Sequence, residues 1–401
     1  MVKAGSSSAG RAQGGHAPMR PPPFLPSRNP ATDAGMLFLA ALSLAIWCYL
    51  LFGHGHFWQA GPTLAPARPA TAPPVTIVIP ARDEAASIGR CLRSLLTQDY
   101  PGTLHIIVVD DGSRDGTAEI AQAIDDPRLT LITGAERPPG WSGKLWALQQ
   151  GIAASTTDLM LLCDADIEHK PAHVSTLVAK LERDTLDMVS EMVALNCESM
   201  AEHALVPAFV FFFAMLYPFN LVNDPGSRVA AAAGGTILIR AEALARAGGL
   251  AAMRDALIDD VTLATRVKAQ GRIWLGHSQL AASIRPYPEA ADVWRMVART
   301  AYVQLRTSPW LLAATVAGMV LVWLVPPAAA IWGHGAVRLA GLLGWAAMIV
   351  AFAPTLRRFR ISLLWAVFLP LTAAFYTAAT VGSAVDHMRG RGVLWKRRIY
   401  S

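Results

Sequence analysis

The chain has 401 residues, 53% of them hydrophobic and only 16% charged, a balance that excludes an ordinary pair of soluble domains and points to membrane segments. Its formal charge of +6 suits either nucleic acid or an anionic membrane surface. Long apolar runs are present and no basic stripe is interleaved with aromatics, so a membrane is expected as partner and nucleic acid is not.

Residues 1–35 are rich in Gly, Ser, Ala, Pro and Arg without periodicity, a composition expected to stay disordered because it buries too little apolar surface. From Met36 the run "MLFLAALSLAIWCYLLF" is long enough to cross a bilayer and longer than a signal-peptide core, which predicts an anchor over 36–53. A linker rich in Ala and Pro is expected over 54–74, its small residues leaving a cleavage site as the other reading. Then "VTIVIP", "LHIIVVDDGS", "RLTLITG" and "DLMLLCDAD" predict strands, with helices near 86–97, 115–124, 143–154 and 171–183. Continuous apolar strands alternating with amphipathic helices predict an α/β domain, a doubly wound, mostly parallel sheet running over 75–300.

Within that stretch "ALVPAFVFFFAMLYPF" (204–219) is short for a span and reads as an interfacial element or a buried helix. Over 301–385 come further apolar segments, giving two to three C-terminal transmembrane helices, and 386–401 is a basic tail. Two basic patches, "RRFR" and "RGRGVLWKRR", flank the last apolar segment. The positive-inside rule would put both in the cytoplasm. Either that Pro-containing segment is re-entrant or interfacial, or one patch lies outside. The four cysteines, Cys48, Cys91, Cys163 and Cys197, show neither C-x-x-C nor a Cys/His ligand spacing. They are expected to be small buried residues in a reducing compartment, without a disulfide framework or zinc site.

Three predicted strands end in acids: "PARDE" with Glu84, "VDDGS" with Asp110 and Asp111, and "CDAD" with Asp164 and Asp166. A single such end is a turn signal. Three on one edge repel one another unless a cation or donors compensate. In a β-like D-x-D the two carboxylates point the same way, suiting Mg2+ or Mn2+ on a diphosphate. Glu168 and His169 are assigned to the following turn.

These motifs, with "LIDDVTLATRVKAQG", fall in the order and rough spacing of the GT-A family-2 glycosyltransferases, which the chain resembles over about residues 75–300. More narrowly, "PPGWSGKLWAL", "PAFVFFFAMLYPF", "DALIDD" and "RMVARTAYVQLRTSP" resemble the hopene-associated glycosyltransferases of bacterial hopanoid gene sets, a likeness that extends into the membrane segments. The resemblance implies a nucleotide-sugar donor, UDP-linked by expectation, and a lipid acceptor. It implies that Glu84 and Asp111 bind the nucleoside with Asp110 nearby, and that Asp166 with Asp164 holds the divalent cation. Lys144, at a helix start, can add positive charge near a phosphate, or be a solvated helix lysine. By the same match Asp260 is the general base of an inverting transfer, or Asp259 and Asp260 cap a helix, or both. Gly234 and Gly235 either let backbone approach the sugar or mark a bulged strand.

Departures from the family pattern also carry implications. The Q-x-x-R-W of many members is replaced by "MVART", which keeps Arg299 and loses Gln and Trp. Because that motif accompanies processive synthesis, its loss implies transfer of a single sugar. Arg299 then contacts either diphosphate or lipid headgroups. Asp83 stands where Asn is common and is assigned no role. With the catalytic domain facing the cytoplasm of a bacterial inner membrane, Lys3, Arg11, Arg20 and Arg28 would lie outside, against the positive-inside rule. Translation is therefore expected to begin at Met36.

Overall fold

The computed structural model describes residues 30–256, 258–389, 393–395 and 398–400. The expectations for the first 29 residues lie outside the described residues, as do positions 390–392, 396, 397 and 401 of the basic tail. One eight-stranded sheet forms the centre of the chain, in the order β3-β2-β1-β4-β7-β6-β8-β5. Its strands are β1 (Val75–Ala81), β2 (Leu104–Asp110), β3 (Leu129–Thr133), β4 (Leu159–Cys163), β5 (Ile167–His169), β6 (Met188–Ala194), β7 (Thr236–Arg240) and β8 (Ile273–Ser283). β1, β2, β3 and β4 run parallel, as do β6 and β8, whereas β7 and β5 run antiparallel to their neighbours. The expected mostly parallel α/β sheet is therefore what the chain forms.

Every residue of β1 and β4 is buried, because helices cover both faces of the sheet. On one face α2 (Ile88–Leu96) inserts Ile88, Cys91, Leu92 and Leu95, and α5 (His173–Arg183) inserts Val174, Leu177, Val178 and Leu181. Both series follow the i, i+3, i+4, i+7 rule for one helix face. On the other face α4 (Gly143–Ala153) lays Leu145 and Leu148 against Val78, Met160 and Leu162. Gly151 permits this approach, because a Cβ there would fall inside the contact radius of Val78. The segment after β4 differs from expectation: residues 167–169 form strand β5, paired with the end of β8, and not a turn. There Glu168 pairs with Arg90 at 2.6 Å while His169 is buried.

Among the described residues four helices are long and apolar enough to cross a bilayer: Ala34–Phe52, Pro309–Trp332, Gly335–Arg358 and Leu363–Met388. The first is the apolar part of α1 (Pro30–Phe52). Pro326 has no N–H to give to Val322, four residues before it, and the helix bulges into a π turn over Val320–Leu324. The Trp47 indole N–H takes up that carbonyl at 2.9 Å, so the defect joins two apolar helices. The stretch 204–219 falls mainly in α6 (Met200–Leu216), one side of which is buried. Phe211 packs on Phe57 and Phe352, and the Leu205 carbonyl accepts from Tyr376 at 2.9 Å. Residues 54–74 carry a short 3-10 helix and a bridge from Thr63 to His277, and Arg358 Nη2 donates to the Ala60 carbonyl at 2.8 Å. Of the cysteines, Cys91 and Cys163 are buried as expected, whereas Cys48 is exposed on α1 and Cys197 is half-buried.

Replacing Gly151 with Leu should push α4 off β1 and lower stability by about 1–3 kcal/mol, the usual effect of overpacking. Thermal melts of the detergent-solubilised chain measure it. An unchanged melting temperature would contradict this packing.

Candidate active site

Because β1, β2 and β4 are parallel neighbours, their carboxyl ends open on one edge of the sheet, where α/β folds bind ligands. The first strand leads into Arg82, whose guanidinium donates to the Asp111 carbonyl and lies 3.4 Å from Asp111 Oδ2. Asp83 follows with φ 49°, a left-handed conformation that Asp tolerates better than most residues. Its backbone N–H donates to Ser113 Oγ and its Oδ1 accepts from the Arg114 N–H. Asp83 thus ties two loops together, which gives it a structural use where the sequence assigned none. Asp110 is buried; Oδ2 accepts from the Ser113 N–H, and Oδ1 has no hydrogen-bond partner among the described residues. A buried acceptor without a donor is costly.

Glu84, Asp166 and Arg285 converge. The Arg285 guanidinium donates through Nη2 to Glu84 Oε1 and through Nε to Asp166 Oδ2, both at 2.7 Å. Glu84 also accepts from Ser87 Oγ. Burial would depress the Arg285 pKa, but Asp166 and then Glu84 outweigh it and hold the guanidinium protonated. Lys144, in the first turn of α4 and capped there by Ser142, lies 2.9 Å from Asp164 Oδ1 and 3.4 Å from Asp259 Oδ2. Burial acts to lower its pKa, and Asp164 followed by Asp259 raise it instead. Asp164 and Asp166 are therefore near each other but hold different cations. Residues 164–166 form a turn and not an extended strand, so the expectation that the two carboxylates point alike from a β-like segment does not hold.

Asp259 and Asp260 open the helix Asp259–Lys268. The N-cap of that helix is Ile258, without a side-chain cap bond, so neither aspartate is the cap that the sequence offered as the other reading; Asp260 Oδ1 accepts from the Val261 N–H at 2.8 Å and Oδ2 from the Gly234 N–H at 3.0 Å. Gly234 is an opening with little room: a Cβ there would stand 3.3 Å from Lys144 Nζ and 3.4 Å from Asp260 Oδ2. Thr236, just beyond, begins β7. The Asp260 pKa is raised to about 6, first by loss of water and then by the Asp259 charge, with Lys144 pulling it down. Lys144, Asp164, Asp259, Asp260 and Gly234 line one cavity together with apolar side chains of β1, β4 and α4.

The sequence did not single out Arg285, Asp259 as a Lys144 partner, or Glu202. Buried Glu202 accepts from the backbone N–H groups of Ser199 and Tyr287 and from Asn196 Nδ2, fixing the turn that carries Arg285 to the start of α6. The only signal for it was S-x-x-E, a capping box. Arg299 is exposed at the end of the helix Ala290–Ala298 and outside the cavity lining. Its charge is felt by Tyr287, whose pKa is raised, first by burial, with Arg285 and more weakly Arg299 acting to lower it.

Residues 76–247 match the family model Glycosyl transferase family 2. That stretch therefore carries the sequence pattern of a family 2 glycosyltransferase domain. A stretch of 93 residues is 36% identical to the 4,4'-diaponeurosporenoate glycosyltransferase of Staphylococcus aureus strain bovine RF122 / ET3-1, covering 23% of this chain and 24% of that protein. The enzyme of the same name from strain USA300 is 34% identical with the same coverage. The match therefore spans about a quarter of the length of these curated relatives. A solved structure, the mannosyltransferase PcManGT from Pyrobaculum calidifontis in complex with GDP-Man and Mn2+, superposes with a TM-score of 0.58 at 21% identity. It covers 88% of this chain and 99% of its own, a likeness of fold, which is GT-A.

Glu202 offers a check on how the Arg285 turn is held. Burial would raise its pKa, but the N–H donors prevail and hold it at about 2. A depressed carboxylate stabilises the fold above its unfolded pKa near 4.3, and that contribution vanishes as pH falls toward 2. Glu202→Gln should destabilise the chain at neutral pH by on the order of 3 kcal/mol and flatten the pH dependence of melting between about 5 and 3. Identical pH profiles for the two proteins would contradict this role.

Proposed function

We propose that the chain transfers a single sugar from a nucleoside-diphosphate donor, UDP-linked in our reading, to the hydroxyl of a membrane lipid, a hopanoid, with inversion at the anomeric carbon. Asp260 carries the proposal. It is a carboxyl with a pKa of about 6, fixed by two backbone N–H groups beside Lys144 and facing a cavity at the sheet edge. Such a group is ionised at neutral pH yet basic enough to take a proton from an attacking hydroxyl. The Tyr217 phenol, at the end of α6, feels the Asp260 charge, and α6 packs on the apolar helices. A lipid hydroxyl arriving along those helices would meet Asp260, while a soluble donor enters from the loops.

In this proposal Glu84 and Asp111 bind the nucleoside, with Asp110 nearby, and Lys144 neutralises charge on the departing diphosphate. The carboxylates of Asp166 and Asp164 are the hard oxygen donors that Mg2+ or Mn2+ requires, and they would hold such an ion. When bound, it supplies positive charge to the leaving group. Arg285 and Lys144 hold the same carboxylates by ion pairs. Of the two roles for Arg299, its exposure favours lipid headgroups. Loss of the Q-x-x-R-W pattern supports a single transfer.

The catalytic domain would face the cytoplasm at a bacterial inner membrane, where nucleotide sugars are made. Ser383 Oγ donates to the Ala298 carbonyl, and Tyr376 and Thr372 bond α6. These contacts with segments preceding Pro309 support an interfacial course for Leu363–Met388, which would keep both basic patches on the domain's side. The carotenoid named in the staphylococcal relatives supports a second acceptor class.

Asp260→Asn should lower turnover by about 10²–10⁴-fold. In the unsubstituted protein, kcat/KM should climb as pH passes upward through about 6, because only the ionised carboxylate accepts a proton, and level off above. Turnover unaffected by the substitution would remove Asp260 from the mechanism; no turnover in either protein would favour a scaffold that has kept the fold without activity. Lipid mass spectrometry of cells with and without the gene tests the acceptor. A hexose- or hexosamine-sized change on hopanoids is expected, and loss of a different glycolipid with hopanoids unchanged would overturn it.

A further inference from the structure

Beneath the acidic turn, on the α2 side of the sheet, lies a second polar cluster that sugar transfer does not use. Cys91 on α2, Cys163 at the end of β4 and His169 at the end of β5 are all buried. Their two sulfurs and one ring nitrogen lie within 4.8 Å of one another, and Cys163 Sγ is 3.1 Å from His169 Nε2. No spacing along the chain announced this, because the three residues come from three elements. The Asp164 carbonyl lies 3.3 Å from Cys163 Sγ and 3.8 Å from Cys91 Sγ, an oxygen beside both sulfurs.

Behind His169 runs a buried relay. His169 Nδ1 lies 2.9 Å from His173 Nδ1, His173 Nε2 lies 3.0 Å from Glu191 Oε2, and Ser278 Oγ donates to that same oxygen at 2.9 Å. One set of tautomers satisfies both contacts, His173 donating through Nε2 to Glu191 and His169 donating through Nδ1 to His173. The remaining lone pair of His169, on Nε2, then faces the two sulfurs. Such a carboxylate and imidazole chain behind a ligating ring is the second shell that fixes a metal-bound histidine.

We propose that Cys91, Cys163 and His169 bind a zinc ion, with the Asp164 carbonyl completing the set. Thiolate and imidazole donors favour zinc over Mg2+ or Mn2+. Binding releases one proton from each thiol, and the two thiolates balance the dication, so the buried site is electrically neutral. The ion would join α2, β4 and β5 and grip the turn bearing Asp164 and Asp166 from beneath. Its role is structural and distinct from the oxygen-ligated cation proposed for the diphosphate.

The test uses the full chain, purified in detergent through a tag without histidines and dialysed against EDTA to strip weakly held ions. Plasma mass spectrometry should find about one zinc per chain, or about one after incubation with Zn2+ and renewed dialysis. The Co2+-loaded chain should show thiolate-to-metal charge-transfer absorption. Cys91→Ala and Cys163→Ala should each fall to about a tenth of that zinc content. If those variants do not fold, titration of the unsubstituted chain with a mercurial should free zinc in step with loss of the two thiols. A chain that holds no zinc even after loading, or variants that retain it fully, would overturn the proposal.

Discussion

Carboxylates gathered at one edge of a buried sheet cannot all stay ionised unless cations stand among them, and the rest of the site follows from how this chain meets that constraint. Lys144 faces Asp164 and Asp259, and Arg285 bridges Glu84 and Asp166. The result is two small ion-pair groups a turn apart, each held by one side-chain cation. Asp260 lies outside ion-pair distance of both, and its proton affinity rises, first through burial and then through the Asp259 charge, with Lys144 acting against them. A division of labour among chemically alike groups thus arises from placement alone.

Each cation is placed by an element with its own reason to be there. α4 approaches β1 because Gly151 leaves space for Val78, and that approach brings Lys144 to the edge. Arg285 follows β8 in a turn pinned by Glu202 at the start of α6. Since α6 packs on the apolar helices through Phe211, Phe212 and Leu205, the membrane-like part of the chain and the acidic edge share one mechanical support.

Much of this was legible in the sequence, and the exceptions have physical causes. β1, β2 and β4 announced themselves because strands buried on both faces must be continuously apolar and must change abruptly at their ends. α2 and α5 were visible by their helical period, and the apolar helices by length. Arg285 was not legible, since it meets Asp166 across 119 residues of chain and a lone arginine before "PYP" resembles any surface turn. The D-x-D turn was misread because an extended backbone was assumed, where each carboxylate instead bends toward its own cation. β5 was taken for a turn because three residues show no period. Cys91, Cys163 and His169 escaped notice for the same reason as Arg285: the fold, and not the spacing, brings them together.

The account depends on the acidic edge being a place where a side-chain cation gives way to a ligand with its own cation. Calorimetric titration of the purified full chain with UDP and GDP, in Mn2+ and in EDTA, tests this most directly. Mn2+ should strengthen binding of the preferred nucleotide by at least about tenfold, or about 1.4 kcal/mol, and Asp166→Ala should abolish that gain. Equal affinity in Mn2+ and EDTA, or a gain that survives the substitution, would contradict it.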